Sequence, residues 1–346
     1  MKHLYKCMDV WMGGRVDEKK NRPYAHTFIL PYLLLALLAA CDSADPGEFT
    51  TQYVVESYLI AGEPLPSIHL SRTTPINQTY DFTALALRDA TVRLDLLRDD
   101  GSVEASYDFR EASDSLGVYF PDDLNALAEP LRTYRLEVTV PGANDRITAT
   151  TVVPDTFRLV DATLTEAVYQ SSEQLELTVT RSRSPGRDQN YYIFVTEAFD
   201  VRAEQLTPFA KALYDHQIED HNDDSGLTLE DLRVGGSPIL NEENYDTNPD
   251  GTLTIRYPWL AVIFYGPNRI FANAIDDNLY DYIRSQSIQQ GGSTFSPGEI
   301  PNPLENVVGA HGVFGSYARI SLDLFVLRPE EAACAVVGNQ VVCGGE

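Results

Sequence analysis

From Thr51 onward, apolar and polar side chains alternate with a period of two, the pattern of a strand with one buried face. "TQYVVESYLI" opens the series. "ATVRLDLL" then sets Val92, Leu94 and Leu96 on one face and Arg93 and Asp95 on the other. "TYRLEVTV" sets Tyr134, Leu136, Val138 and Val140 against Arg135, Glu137 and Thr139, and "RITATTVV" runs into Pro154. Turn dipeptides such as Asp100-Gly101 and Pro141-Gly142 separate these runs. Short strands at this spacing predict an immunoglobulin-like antiparallel sandwich over residues 51–154.

A second β-rich region, 155–346, follows with "LELTVTRS", "NYYIFVTEAF", "TLTIRYPWLAVIFY" and "ARISLDLFVLRP". Two helical insertions interrupt it. One is "TPFAKALYDHQIEDH"; the other is "NAIDDNLYDYIRSQ", which spaces Ile275, Leu279 and Ile283 at four-residue steps as a stripe for packing on a sheet. The expected fold class is therefore mainly β.

The chain's beginning follows a different rule. Residues 28–40, "FILPYLLLALLAA", form an apolar run behind Lys19, Lys20 and Arg22. The run is too short for a span of about 20 residues and reads as a secretory signal over residues 1–40. Its end, Leu38-Ala39-Ala40-Cys41, resembles the bacterial lipobox, in which the cysteine is acylated and the chain is cut just before it. Cys41 is thus the expected lipidation site, with residues 41–50 as an acidic tether to the membrane.

Charge then narrows the partners. Six of the 26 Lys/Arg and three of the 51 Asp/Glu precede Cys41, leaving 20 basic against 48 acidic residues, about −28. Nucleic acid is excluded as a partner because phosphate binding needs a basic footprint. Lys211 is the only lysine after the leader.

Near the C-terminus, "CAVVGNQVVC" places a Gly338-Asn339 turn between β-branched residues. Counting outward sets Cys334 opposite Cys343 on a non-hydrogen-bonded pair, where Cα atoms approach to about 4.5 Å. That spacing is compatible with a disulfide, which would persist outside the cytoplasm.

"VVESYL", "SIHLSRTTP", "DATVRLDLLRDDG", "TYRLEVTV", "ITATTVVP" and "TFSPGEIPNPLENVVGAHGVFGSYA" follow one another in an order that resembles the domain-of-unknown-function 4249 family of Bacteroidetes-type outer-membrane lipoproteins. The resemblance implies an Ig-like N-terminal domain, a less regular C-terminal domain and association with a TonB-dependent transporter. It supplies neither a reaction nor a ligand. The family's glycine-rich segment reads closer to "GGxGxFG", whereas here His311 stands beside a usual glycine in "GAHGVFG". No helix pattern and no Lys back these glycines as a phosphate cradle would require, so they predict a bulged or looped entry to the last long strand.

Other candidate chemistry is sparse. Asp246, Asn248 and Asp250 in "DTNPDGT" match the first half of a calcium loop, but Tyr257 occupies the position of the bidentate Glu. The same residues form a strong turn sequence. "DHNDDSGLTLED" is a second partial match, and "HQIEDH" has neither zinc-protease spacing. Tyr257 and Trp259, clustered with Phe264 and Tyr265, are either core or a platform on which a ligand stacks. No catalytic constellation stands out. The expected role is a lipid-anchored outer-membrane binding or accessory protein, with a glycan- or peptide-acting hydrolase and a purely structural envelope protein as the alternatives.

Overall fold

The computed structural model describes residues 49–75, 78–143, 146–172, 175–221, 228–291, 303–332, 334–337 and 340–343, with side chains left undescribed in 217–221, in 288–291 and beyond 331. The leader and Cys41 lie outside the described residues.

Alternation dominates the first half. The strands are β1 (Tyr53–Ile60), β2 (Ile68–Arg72), β3 (Thr91–Leu97), β4 (Val103–Glu111), β5 (Val118–Pro121), β6 (Thr133–Thr139) and β7 (Arg146–Val152), with a one-turn helix α1 (Phe82–Leu85) between β2 and β3. β6 shows why the pattern works: Tyr134, Leu136 and Val138 are completely buried, while the residues between them are not. The hairpin between β3 and β4 turns at Gly101, whose φ of +80° a side chain would resist.

The second half adds β8 (Leu159–Ala162), β9 (Glu166–Val168), β10 (Glu176–Val179), β11 (Tyr191–Ala198), β12 (Val234–Gly236), β13 (Leu240–Asn241), β14 (Asp246–Thr247), β15 (Leu253–Arg256), β16 (Gly266–Ile275), β17 (Val307–Val308), β18 (His311–Leu327), β19 (Cys334–Val337) and β20 (Gln340–Cys343). The helices are α2 (Pro208–His221), α3 (Asp277–Gly291) and α4 (Pro329–Ala332). The chain is mainly β, as its periodicity predicts. Among the described residues no helix is long and apolar enough to cross a membrane.

Strands from both sides of Pro154 share one large sheet, ordered β12-β11-β16-β18-β1-β2-β5-β4-β3-β6-β7-β17, with β13 on β11 and β9 on β18. A smaller sheet runs β14-β15-β10-β8. One apolar cluster extends from Val55 and Leu136 to Phe194, Tyr257 and Phe314, so a single core serves both halves. Pairing in the large sheet is mixed: β1 runs parallel to β18, and β9 parallel to β18, amid antiparallel neighbours. Alternation specifies a strand's two faces but not a partner some 250 residues away, so this parallel seam is invisible to the local pattern.

Gly312 makes the seam possible. Its φ is +109°, and a Cβ there would sit 2.0 Å from the carbonyl oxygen of Val55 on β1. The expected looped entry is Gly309, in a turn at φ +85°; the strand itself already starts at His311.

Three elements differ in detail from their predicted form. "TLTIRYPWLAVIFY" holds only the four-residue β15, followed by a 3-10 turn at Trp259–Ala261, because Pro258 cannot donate to a ladder. Ile275 of the apolar stripe ends β16 instead of belonging to the helix, yet it packs with Leu279 and Val313, with Ile283 against them. Asp95, placed by alternation on the polar face, is completely buried. It is covered by Arg93 and Arg135 from the same face, at 3.1 and 2.8 Å, and accepts a hydrogen bond from Ser106 Oγ at 2.6 Å.

Candidate binding site

The loop joining β10 to β11 carries three arginines in a strongly acidic chain: Arg181, Arg183 and Arg187. Its tip, Ser184-Pro185-Gly186-Arg187, is a turn closed by Arg187 N donating to the Ser184 carbonyl at 3.2 Å. Pro at the second position and Gly186 at φ +84° in the third suit a type II turn. Asp155 N donates to the Arg183 carbonyl at 2.7 Å, and Asn190 Nδ2 donates to the Ser182 carbonyl at 2.8 Å, pinning the loop against the fold.

The turn drives Arg187 inward, leaving its side chain 11% exposed. Nη2 donates to the Ile275 carbonyl at 2.7 Å and to Ser184 Oγ at 2.8 Å. Nε lies 3.2 Å from Asp277 Oδ1. The guanidinium sits 5.2 Å from the centre of the Tyr191 ring, which itself stacks on Tyr280 at 4.0 Å. Nε and Nη1 are both buried and have no hydrogen-bond partner, Nε meeting Asp277 as an ion pair only.

Asp276 lies at the end of β16, directly before α3, and caps that helix: Oδ1 accepts from Leu279 N at 2.9 Å. Oδ2 accepts from Thr151 Oγ1 on β7 and from Ser316 Oγ on β18, the latter at 3.2 Å. The single Ser316 hydroxyl hydrogen is shared with the Val152 carbonyl, 3.0 Å from Oγ. The carboxyl therefore ties together a helix start and two strands remote in sequence. Burial pushes its pKa up to about 6, against the opposing pull of the Thr151, Leu279 and Ser316 hydrogen bonds. A buried carboxyl with a raised pKa beside a cavity is the kind of group that serves proton transfer. Here both oxygens are consumed by donors, and the arrangement is that of a cap.

Asp276, Asp277, Asn278, Thr150, Thr151 and Arg187 line a cavity of about 120 Å³. Ser184, Pro185 and Arg187 form its common wall with a wider groove of about 570 Å³ that also meets Leu131, Arg181, Arg183 and Asn190. The other two arginines are ion-paired as well, Arg181 with Glu242 and Arg183 with Asp155 at 2.9 Å. Leu131 holds a left-handed φ of +61°, a costly conformation for a residue with a side chain. The site is thus a polar groove leading to an inner chamber with two guanidinium nitrogens, Nε and Nη1, that lack a hydrogen bond, suited to holding a polar acceptor.

The sequence-predicted sites lie elsewhere. Asp246 is on β14, and Asn248 to Gly251 form the turn before β15, closed by Gly251 N donating to the Asn248 carbonyl at 2.9 Å. Asp250 Oδ1 accepts from Thr252 N at 3.0 Å and Oγ1 at 2.7 Å, and Asn248 Nδ2 donates to the Thr252 and Thr254 hydroxyls at 2.9 and 3.0 Å. These are the bonds of a turn. Among the described residues no group of three or more His, Cys, Asp or Glu side chains is arranged to hold a metal ion.

Tyr257 is completely buried, edge-on to Phe194 at 5.1 Å, with its hydroxyl bonded to Thr196. No ligand can stack on it without opening the core. Trp259 is half-buried, edge-on to Tyr169 at 5.6 Å. His311 Nδ1 lies 2.8 Å from Glu305 Oε2, and Nε2 meets Gln52 Oε1. Thr228 and Asp231 cap each other's turn, Thr228 N and Oγ1 both donating to Asp231 Oδ2 at 2.7 Å; residues 222–227 of that acidic stretch lie outside the described residues. Backbone register sets Cys334 opposite Cys343, as expected; their side chains, and the Gly338-Asn339 turn, lie outside the described residues.

Arg187 and Asp276 escape the sequence reading. Asp276 left one trace, an Asp directly before a helical pattern, the preferred N-cap type. Arg187 left only its "SPGR" turn.

A family model described as "Domain of unknown function (DUF4249)" matches residues 42–322. No curated protein matches the chain. Among solved structures, a Salmonella alpha-2-macroglobulin reacted with methylamine is 12% identical with a TM-score of 0.22, covering 80% of this chain and 15% of its own. Three N-terminal domains of the bacteriophage RB49 Hoc capsid protein are 9% identical with a TM-score of 0.19, covering 80% and 70%. An Escherichia coli alpha-2-macroglobulin activated by porcine elastase is 11% identical with a TM-score of 0.19, covering 80% and 20%.

Proposed function

This chain belongs to the DUF4249 family, and from that premise we propose that it is a lipid-anchored outer-membrane protein acting as a binding or accessory subunit beside a TonB-dependent transporter. The observation that carries the reading is Cys41 in Leu38-Ala39-Ala40-Cys41, at the end of a short apolar run and directly before residue 42, where the family match begins. Acylation would anchor the chain by at least two fatty chains, since one gives only marginal attachment. The acidic "DSADPGE" that follows serves as the tether. A polar groove with a buried arginine at its inner end supports a binding role.

Growth with an alkyne-bearing palmitate analogue tests the anchor. The chain is expected to take the label and sediment with membranes, and Cys41→Ala is expected to lose both properties. An unlabelled wild-type chain, or a labelled Cys41→Ala variant, refutes the reading. Recovery of a transporter with the tagged chain after mild crosslinking tests the partnership separately.

A further inference from the structure

We propose that the chamber at the start of α3 and the groove beside it form a binding site for a small organic carboxylate, whose carboxyl group is read by Arg187 and whose body lies along the Arg181–Asn190 loop. This names the ligand class for the binding role above and does not depend on the lipid anchor.

Three observations converge. The first is the guanidinium itself. Ser184, the Ile275 carbonyl, Asp277 and the face of Tyr191 hold it on three sides, so it is oriented before any ligand arrives. Nη1 is left buried and unbonded at the chamber wall. An unmet buried donor on a charged group is costly, and an anionic oxygen is its strongest partner.

The second is the start of α3, whose residues Asp277 and Asn278 line the same chamber. First-turn amides have no intrahelical acceptor, and the helix dipole there favours negative charge. The Leu279 amide is already used by Asp276, so what the helix start adds is its dipole. Nη1 supplies a hydrogen bond to one carboxylate oxygen, and the helix start favours the carboxylate's charge.

The third is the division of charge. Asp276 and Asp277 both face the chamber and would oppose an anion if free. Asp276 is bonded through both oxygens, and Asp277 is paired with Arg187 Nε and is 64% exposed. All three arginines of the groove have a carboxylate partner, but Arg187 alone among them keeps a buried Nη1 with no hydrogen bond, and Asp188 is the remaining acidic residue on the groove wall. The chamber's 120 Å³ takes a carboxyl head, and the groove's 570 Å³ takes the remainder of a small polar molecule.

The test uses the full chain in detergent with 15N-labelled arginine, following guanidinium resonances during titration with acetate and succinate, and with acetamide and inorganic phosphate as controls. One resonance, identified by its loss in Arg187→Lys, is expected to move saturably with the carboxylates and to stay put with acetamide. Arg187→Lys is expected to weaken succinate binding at least about tenfold, the loss of one charge-assisted hydrogen bond. Should that variant not fold, Leu131→Glu at the groove wall adds a repelling charge and is expected to weaken succinate severalfold. No saturable movement, an equal response to acetamide or phosphate, or an undiminished affinity in the folded variants overturns the assignment. Such a failure leaves the Cys41 anchor untouched, because acylation is read by label and not by titration.

Discussion

Asp276→Asn isolates a single titration in a chain crowded with carboxylates. In the folded state burial raises the Asp276 pKa from 3.8 to about 6, so folding strengthens proton binding at this site. A group whose pKa is raised on folding contributes stability that is fully present below its unfolded value, near 4, and is lost as pH climbs through 6. At about 1.4 kcal/mol per pKa unit the full swing is about 3 kcal/mol, of which about 2.4 kcal/mol falls between pH 4 and pH 7.5, because the unfolded carboxyl is already partly ionised at pH 4. Asparagine keeps the geometry: its Oδ1 accepts from Leu279 N, its Nδ2 offers hydrogens to the Thr151 and Ser316 hydroxyls, and it caps helices as well as aspartate. The cap is therefore preserved while the charge is removed. Urea unfolding followed by Trp259 fluorescence at pH 4, 5, 6 and 7.5 measures the difference directly, because every other carboxylate titrates alike in both proteins. The stability of Asp276→Asn minus that of wild type is expected to rise by about 2.4 kcal/mol across that range, with most of the change between pH 4 and 6. A difference that stays flat, or falls, refutes the account.

Gly312→Ala places a methyl group against the Val55 carbonyl in a backbone conformation that alanine resists, and is expected to cost more than about 3 kcal/mol or to prevent folding, as read by urea midpoint or soluble yield. Asp95→Ala removes one of the two carboxylates that Arg93 and Arg135 share, leaving Glu137; because both arginines keep about a third or more of their side chains in solvent, the expected loss is about 1–2 kcal/mol in a urea titration at pH 7. Burial pushes the Asp95 pKa up, but the Ser106 and Arg135 hydrogen bonds and the Arg93 and Arg135 charges bring it below the ordinary value. The gap between wild type and Asp95→Ala is therefore full above about pH 4 and is expected to shrink as the solution is made more acidic. Cys334 and Cys343, opposed in register, are expected to resist maleimide in the denatured oxidised protein and to react after reduction; equal labelling in both states rules out the bond.

How much of this was written locally is clear from particular residues. Alternation in "TYRLEVTV" named the buried face of β6, and Asp100-Gly101 named the β3–β4 turn, because both depend only on neighbouring backbone sterics. The same alternation put Asp95 on the polar face correctly but could not show that arginines from two strands would close over it. Tyr257 read equally well as core or platform, and only its place beneath Phe194 decides for core. For Asn248 and Asp250 the turn was legible in the sequence, and the hydrogen bonds show where their side chains are spent.

The amino-acid sequence alone set the strands, their inner faces, the tight turns and the register that opposes Cys334 to Cys343, since periodicity and glycine act over a few residues. Tertiary structure decided the parallel seam of β1 on β18, the bonding of Thr151 and Ser316 to Asp276, and the meeting of Thr151 and Asp276 with Arg187 at one chamber. Those residues come from parts of the chain far apart, and nothing in the spacing of one foretells the others. They converge because two halves that each leave apolar faces open bury them in one shared core, and the polar groups trapped at the join must then satisfy one another.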